Sequence, residues 1–489
     1  MITIPNHPPL PSHPKSQHIN SISITQFSKP ISNQTTKEPP PPPMASTLLL
    51  LTIFISIFIS ISKASSSPFP PEALPTKSGY LSINSTSNSS LFYTFYEAQH
   101  PSTSTSTPTP LLIWLQGGPG CSSMFANFFE LGPFLISSTS PTLHPNPFTW
   151  NRFFSLLFID NPIATGFSIA ASFSDIPKDQ PTVAAHLYTA LQLFFSQNPP
   201  LRSRPLFLTG ESYAGKYIPS FAYHILQRNS GAPPSQMINL HGVAIGNGLT
   251  HPVAQITTHA DTAYFTGFVN AKQRQHMESL QRKTVKLVEE EQWVEATNAR
   301  IRVLDYLQNV TGLATLYDYS KKKPYQSEMV TVLLNMEEVK VALGVEKGVV
   351  WEECSDVVGS ALEEDVMKSV KEMVEEVVKK KSRVLLYYGM NDLRDGVVTG
   401  EEWVKEMEWE GLEEFLNAER KVWEVDGEMA GYVQRWGSLS LVVVAGAGHM
   451  VPTDKGRNAQ VMIEDWVLES GLFGRDDGIG ENHARLRAC

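Results

Sequence analysis

The chain has 489 residues, 42% hydrophobic and 18% charged, enough to bury a large core. Its net charge of −10 argues against a nucleic-acid surface, which would be rich in lysine and arginine. The three cysteines, Cys121, Cys354 and Cys489, are far apart and show no zinc-ligand spacing, so neither a metal nor a cofactor is expected.

Residues 1–43 are rich in Pro, Ser and Asn and end in EPPPPP, which predicts a disordered extension. Residues 44–64 read as a signal peptide. The apolar run from Leu48 to Ile61 is short and serine-interrupted for a membrane span, and Ala64 to Ser67 supply small residues for cleavage. A start at Met44 makes this an ordinary signal, whereas a start at Met1 leaves a signal anchor open. Once the signal is cleaved, no stable membrane association is expected. The route is secretory, with an extracellular or vacuolar destination. Asn84, Asn88 and Asn309, in NST, NSS and NVT, are then glycosylation candidates. In an oxidising compartment the cysteines allow one disulfide and one free thiol.

Residues 65–489 read as one α/β domain. SGYLSI and SLFYTFYEA alternate and predict an antiparallel pair. LLIWLQ, FSLLFID, PLFLTG, LHGVAIGNG, RVLLYYG and LSLVVVAG are continuous apolar runs, as expected of strands buried on both faces of a parallel sheet. Helical patterns such as PTVAAHLYTALQLFFSQ separate them, so helices flank the sheet. The pattern breaks at about 255–345, where the charged helical stretch 277–308 suggests an inserted cap. Residues 363–381 read as a single amphipathic helix with solvated charges.

The stretch 205–219, PLFLTGESYAGKYIP, has two readings. Gly210 to Lys216 is one residue short of a phosphate-binding loop, but Tyr217 stands where the loop needs Ser or Thr for magnesium. Gly210 to Ala214 is G-x-S-x-A, one residue short of a nucleophile elbow, whose small flanking residues let a sharp turn expose the serine. Downstream, Asp392 follows one strand-like run and His449 another, and Asp395 is a rival to Asp392. The order Ser212, Asp392, His449 is that of an α/β-hydrolase triad. In it the serine attacks a carbonyl, the histidine moves the proton, and the aspartate fixes the imidazole tautomer. The Tyr213 amide and the glycines of LLIWLQGGPGCSS are candidates for the oxyanion hole.

Together WLQGGPGCSS at 114–123, GESYAGKY at 210–217, YYGMND at 387–392 and GAGHMVP at 446–452 resemble the motifs of the serine carboxypeptidase family, in particular its plant branch with Gln in the first motif. FELGP at 129–133, IGNG at 245–248 and GFS at 166–168 extend the resemblance, which runs from about Pro68 to Leu472. It implies the α/β-hydrolase fold and removal of residues from peptide or protein C-termini. It implies Gly118 as the second oxyanion amide. It also implies Gln116, Glu130 and Glu211, supported by Trp114 and the Gly117 amide, as the holders of the substrate carboxylate. Phe129 and Met450 match pocket positions. Cys121 would pair with Cys354, leaving Cys489 unpaired. Departures are Gln116 for Asn, Ala164 for Gly, and DKG for D-x-P after the histidine.

Two ionised glutamates would repel a carboxylate, whereas a protonated carboxyl donates a hydrogen bond to it. Crowding like charges raises one pKa, so binding of free C-termini should be best in mild acid. An acyltransferase with activated ester donors would share the triad but has no terminal carboxylate to hold. A binding protein with a relic site is the third reading. The sequence leaves a homodimer open.

Overall fold

The computed structural model describes residues 69–84, 88–104 and 108–474, all within one compact unit. The extension 1–43, the signal-like segment 44–64 and Cys489 lie outside the described residues.

A ten-stranded sheet carries the chain, in the order β1-β2-β6-β3-β7-β8-β9-β12-β11-β10. The predicted antiparallel pair is β1 (Lys77–Ser82) and β2 (Ser90–Tyr96). The apolar runs form β3 (Leu111–Leu115), β6 (Ser155–Ile159), β7 (Leu206–Glu211), β8 (Leu240–Gly246), β9 (Arg383–Gly389) and β12 (Leu439–Val444), each parallel to its neighbours in this block. β3, β6, β7 and β12 are buried along their whole length, which is why they lack the alternation of a one-sided sheet. Two apolar cores lie on the two faces. One holds Ile113, Leu208 and Ile245, and the other Leu112, Phe207 and Ala244, adjacent positions along the same strands.

Three features depart from the sequence reading. The strands β10 (Lys421–Val425) and β11 (Glu428–Trp436) extend one end of the sheet, and β4 (Phe134–Ile136) pairs with β5 (Leu143–Pro145) in a separate ribbon. The stretch 277–308 is a hairpin of helices Ala271–Glu289 and Trp293–Thr311, turned at Glu291 with φ 55°. The predicted helix 363–381 forms only over Lys371–Lys379. Residues Glu363–Asp365 make a single 3-10 turn instead, because Asp365 turns inward to meet buried partners.

The segment between β8 and β9 carries helices between Pro252 and Leu343, interrupted over 312–327. Its hairpin has its own apolar cluster around Ile256, Met277, Val303 and Leu307. The helices Glu328–Leu334 and Glu337–Leu343 pack through Val330, Leu333 and Val339 on the main core instead.

Candidate active site

Ser212 stands between β7 and the helix Ala214–Asn229. Its φ is 61°, a left-handed conformation that costs a residue with a side chain about 1–2 kcal/mol. The turn closes because its flanks are small. A Cβ on Gly210 would lie 2.4 Å from the Leu115 carbonyl and 2.8 Å from the Ala214 Cβ. The Ser212 amide donates to the Gly246 carbonyl at 2.9 Å, and its own carbonyl accepts from Gly215 and Leu249 at 2.9 and 3.0 Å.

Lys216 settles the phosphate question. Its ammonium is fully buried, 2.9 Å from Asp365 Oδ2, and donates to the carbonyls of Asp365 and Lys368. It has no face left for a phosphate. Tyr213 Oη also donates to Asp365 Oδ2, at 2.5 Å, as does Gln180 Nε2, at 2.8 Å.

His449 and Asp392 meet at the carboxyl ends of β12 and β9. His449 Nδ1 donates to Asp392 Oδ2 at 2.6 Å. Asn247 Nδ2 donates to the same oxygen at 2.8 Å, and the amides of Arg394 and Asp395 donate to Oδ1 at 2.7 and 3.3 Å. Asp395, the sequence rival, faces Arg300 instead. His449 Nε2 is buried and has no hydrogen-bond partner among the described residues, so no bond to Ser212 is formed. Such bonds often tighten only with substrate bound.

Gly118, φ 108°, and its neighbours wrap past the elbow. A Cβ on Gly117 would come within 2.6 Å of the Tyr213 amide nitrogen and 2.8 Å of Ser212 Cβ. At Gly117 the loop after β3 and the elbow therefore meet with no room for a side chain between them. Glycine is required there for close approach, not only for its conformation. Cys121 and Cys354 form a disulfide. Around it the Ser122 amide donates to the Glu353 carbonyl at 2.8 Å and the Ser355 amide to Gly120 at 2.9 Å.

Beside the elbow lies a buried polar relay. Trp114 Nε1 donates to Gln116 Oε1 at 2.8 Å, and Gln116 Nε2 donates to Glu211 Oε1 at 3.0 Å. Glu130, after the helix Ser123–Phe129, faces Glu211 and Gln116. With both glutamates ionised, Glu211 Oε2 and both Glu130 oxygens have no donor, so the arrangement calls for a proton on the pair. Burial raises both carboxyls. Repulsion from Glu130 and from Asp454 adds to it at Glu211, and the Gln116 hydrogen bond opposes it. Phe129 packs on Phe125 with ring centroids 5.0 Å apart, and Met450 is buried next to His449 in sequence.

Four residues here had no role in the sequence reading. Asn247 orients Asp392. Tyr317 gives its carbonyl to the His449 amide at 2.7 Å and its ring to the imidazole, centroids 4.6 Å apart. Tyr387 Oη is buried without a partner among the described residues, and the charges of Glu211 and Glu130 add to its raised pKa. Asp454 receives Tyr325 Oη at 2.6 Å, Lys321 Nζ at 2.8 Å and the Gly448 amide at 2.9 Å. Asn247 and Tyr387 lie inside the motifs IGNG and YYGMND, which could have flagged them. Tyr317 has no local signal.

Residues 68–469 match the family model described as serine carboxypeptidase. The chain belongs to the serine carboxypeptidase family. It is 55% identical over 432 residues to the Arabidopsis thaliana protein named serine carboxypeptidase-like 50, covering 87% of this chain and 96% of that one. It is 34% identical over 418 residues to the Homo sapiens protein named probable serine carboxypeptidase CPVL, covering 83% and 85%. The structure of Kex1ΔP, a prohormone-processing carboxypeptidase from Saccharomyces cerevisiae, superposes with TM-score 0.72 at 25% identity, covering 80% of this chain and 91% of that one. The fold is thus that of the α/β hydrolases, and the chain is a serine carboxypeptidase acting on peptides.

In this carboxypeptidase Ala164 has φ 69°, so the position that is glycine in the resembling motif keeps a left-handed backbone here at some cost in strain. Among the described residues, Asn84, Asn88 and Asn309 are all exposed. The disulfide closes a loop of 233 residues and pins the glycine loop to the strand-like segment 353–355. The Cys121→Ser/Cys354→Ser double variant is expected to lose about 2–5 kcal/mol, read as a lower urea midpoint. An unchanged midpoint would show that the flanking backbone bonds suffice.

Proposed function

We propose that the carboxypeptidase cleaves peptides by an acyl-enzyme route in which Ser212 attacks the scissile carbonyl. His449 accepts the serine proton and passes it to the departing amino acid. Asp392 holds the tautomer and stabilises the imidazolium. The Gly118 and Tyr213 amides receive the oxyanion. The observation that carries the substrate assignment is the Trp114–Gln116–Glu211–Glu130 relay next to the nucleophile. A protonated glutamate there donates to the C-terminal carboxylate of the substrate, with Gln116 and the Gly117 amide as further donors. Phe129 and Met450 line the pocket for the departing residue. An ester donor for acyl transfer brings no carboxylate to this relay. The signal-like segment, the disulfide and the exposed sequons support a secretory route to the cell exterior or vacuole, with residues 65–489 as the mature domain and the helical segment at about 255–345 as its cap.

The pH dependence follows from sign. The folded-state pKa values of the pair are raised, so the neutral form is favoured in the folded protein. Both the stability contributed by the pair and its donation to substrate are full in acid and decline as pH rises through the raised pKa. Wild-type kcat/KM for a blocked dipeptide is therefore expected to fall from about pH 5 to 8, chiefly through KM. In Glu130→Gln/Glu211→Gln the amides remain donors at every pH. KM in acid should rise by about 2- to 10-fold and then stay flat. The idea is falsified if the double variant keeps the wild-type slope.

A further inference from the structure

The charged groups that face the Asp392–His449 pair from the helical segment have no part in the scheme above. Arg300, on the helix Trp293–Thr311, is 5% exposed. Its Nη2 donates to both carboxylate oxygens of Asp395, at 3.0 and 3.2 Å. Asp395 is 2% exposed, and its amide is one of the two that donate to Asp392 Oδ1. The other comes from Arg394, whose guanidinium lies 5.3 Å from the centre of the Tyr317 ring. Tyr317 in turn stacks on the imidazole of His449. Between these anchors, the Leu393 amide donates to Leu316 and the Tyr319 amide to Asn391, at 2.9 and 3.1 Å. The turn 392–395 is thus held by the inserted segment, where Arg300 is its buried ionic contact, and also by Asn247, whose Nδ2 donates to Asp392 Oδ2 and to the Asp395 carbonyl.

We propose that Arg300 is a positioning residue for the reaction. By holding Asp395 it holds the turn whose two amides orient the Asp392 carboxylate, and through Asp392 it sets the aim of His449. The inference rests on the triad reading. A hydrogen-bonded carboxylate with two acceptor oxygens and four donors can rotate if two of those donors shift, and an error of about 1 Å at a general base costs on the order of 100-fold in rate. Substrate holding lies elsewhere, at Glu130, Glu211 and Gln116, so the loss should fall on kcat and not on KM. The charged and titratable groups facing Asp395 include Arg300, Arg394, His259 and Tyr388, and Asp392, Asp305 and Tyr317 face Arg394. Removing Arg300 leaves Asp395 with Arg394 as its remaining cationic neighbour, 3.7 Å away, without the buried grip on the turn.

The test uses the full mature chain, a blocked dipeptide, and a fluorophosphonate to count and rate reactive serines. In Arg300→Met, kcat per folded site should fall about 100-fold with KM within about twofold. The rate of labelling should fall in parallel. Arg300→Lys keeps the charge but not the two-oxygen grip. It should lose about fivefold in kcat, with KM unchanged. If Arg300→Met does not fold, the lysine variant decides. A lowered Tm with kcat and labelling rate untouched, in either folded variant, overturns the proposal and leaves Arg300 as a packing residue. Ser212→Ala run alongside separates the two readings. Activity surviving in it overturns the triad reading itself, whereas an inert Ser212→Ala with normal Arg300 variants sinks only the role of Arg300.

Discussion

Ser212→Ala is expected to lower kcat/KM for a blocked dipeptide by about 10⁴-fold or more while leaving the urea midpoint nearly where it was. The two halves of this expectation have separate causes. The hydroxyl is the proposed nucleophile, and water acting in its place lacks both covalent chemistry and position. Alanine keeps the Cβ, so it meets the same left-handed backbone at φ 61° without a new clash. The side chain that is lost makes no hydrogen bond among the described residues, and the backbone bonds to Gly246, Gly215 and Leu249 remain. Asp392→Asn should lose a comparable factor by a different route. Asp392 Oδ2 accepts from both His449 and Asn247. An amide nitrogen there would face donors, or its oxygen would turn and leave the wrong imidazole tautomer. Active-site titration, not total protein, is the denominator for both.

The largest loss of stability is expected from Asp365→Leu, about 3–5 kcal/mol. Asp365 sits 2.9 Å from a fully buried ammonium. Burial brings Lys216 down to about 8, against the opposing pull of Asp365. Without that partner the lysine must either lose its proton or stay charged with carbonyl oxygens alone. Tyr213 and Gln180 lose an acceptor at the same time. Lys216→Met should be costly too, because it strands the carboxylate. Lys216→Met/Asp365→Leu should recover much of the loss, since an apolar pair removes both charges together. Urea unfolding of the four proteins gives the coupling directly. A near-additive cycle would mean that the two charges do not depend on each other.

The strands were legible where burial on both faces leaves almost only apolar residues, as in SLLFI of β6 and LLIWL of β3. β10 and β11 were not. KVWEV and EMAGYVQRW mix exposed Lys, Glu and Met with buried Trp, Val and Ala on an outer pair of strands, and such short mixed runs resemble loop. The order of Ser212, Asp392 and His449 was legible because each follows a strand. Buried charges were harder. Asp365 lies in a run of acidic and basic residues that reads as a solvated face, yet its partner is 149 positions away in sequence. Arg300 pairs with Asp395 across 95 positions, and nothing local to either residue distinguishes it from a surface charge. Hydrophobic pattern reports the average surroundings of a segment. It cannot report which single charge has turned inward.

The disulfide has a consequence for the connectivity of the machinery. Cys121 and Cys354 bracket Ser212 and the stretch with exposed Lys322 and Lys323, while Asp392 and His449 lie beyond Cys354. One cut at those lysines would place the proposed nucleophile and base on different polypeptides with a single covalent link between them. Such a two-chain enzyme would run as one band without reductant and as two with it. Its activity would then depend on thiols in the medium far more steeply than that of the uncut chain.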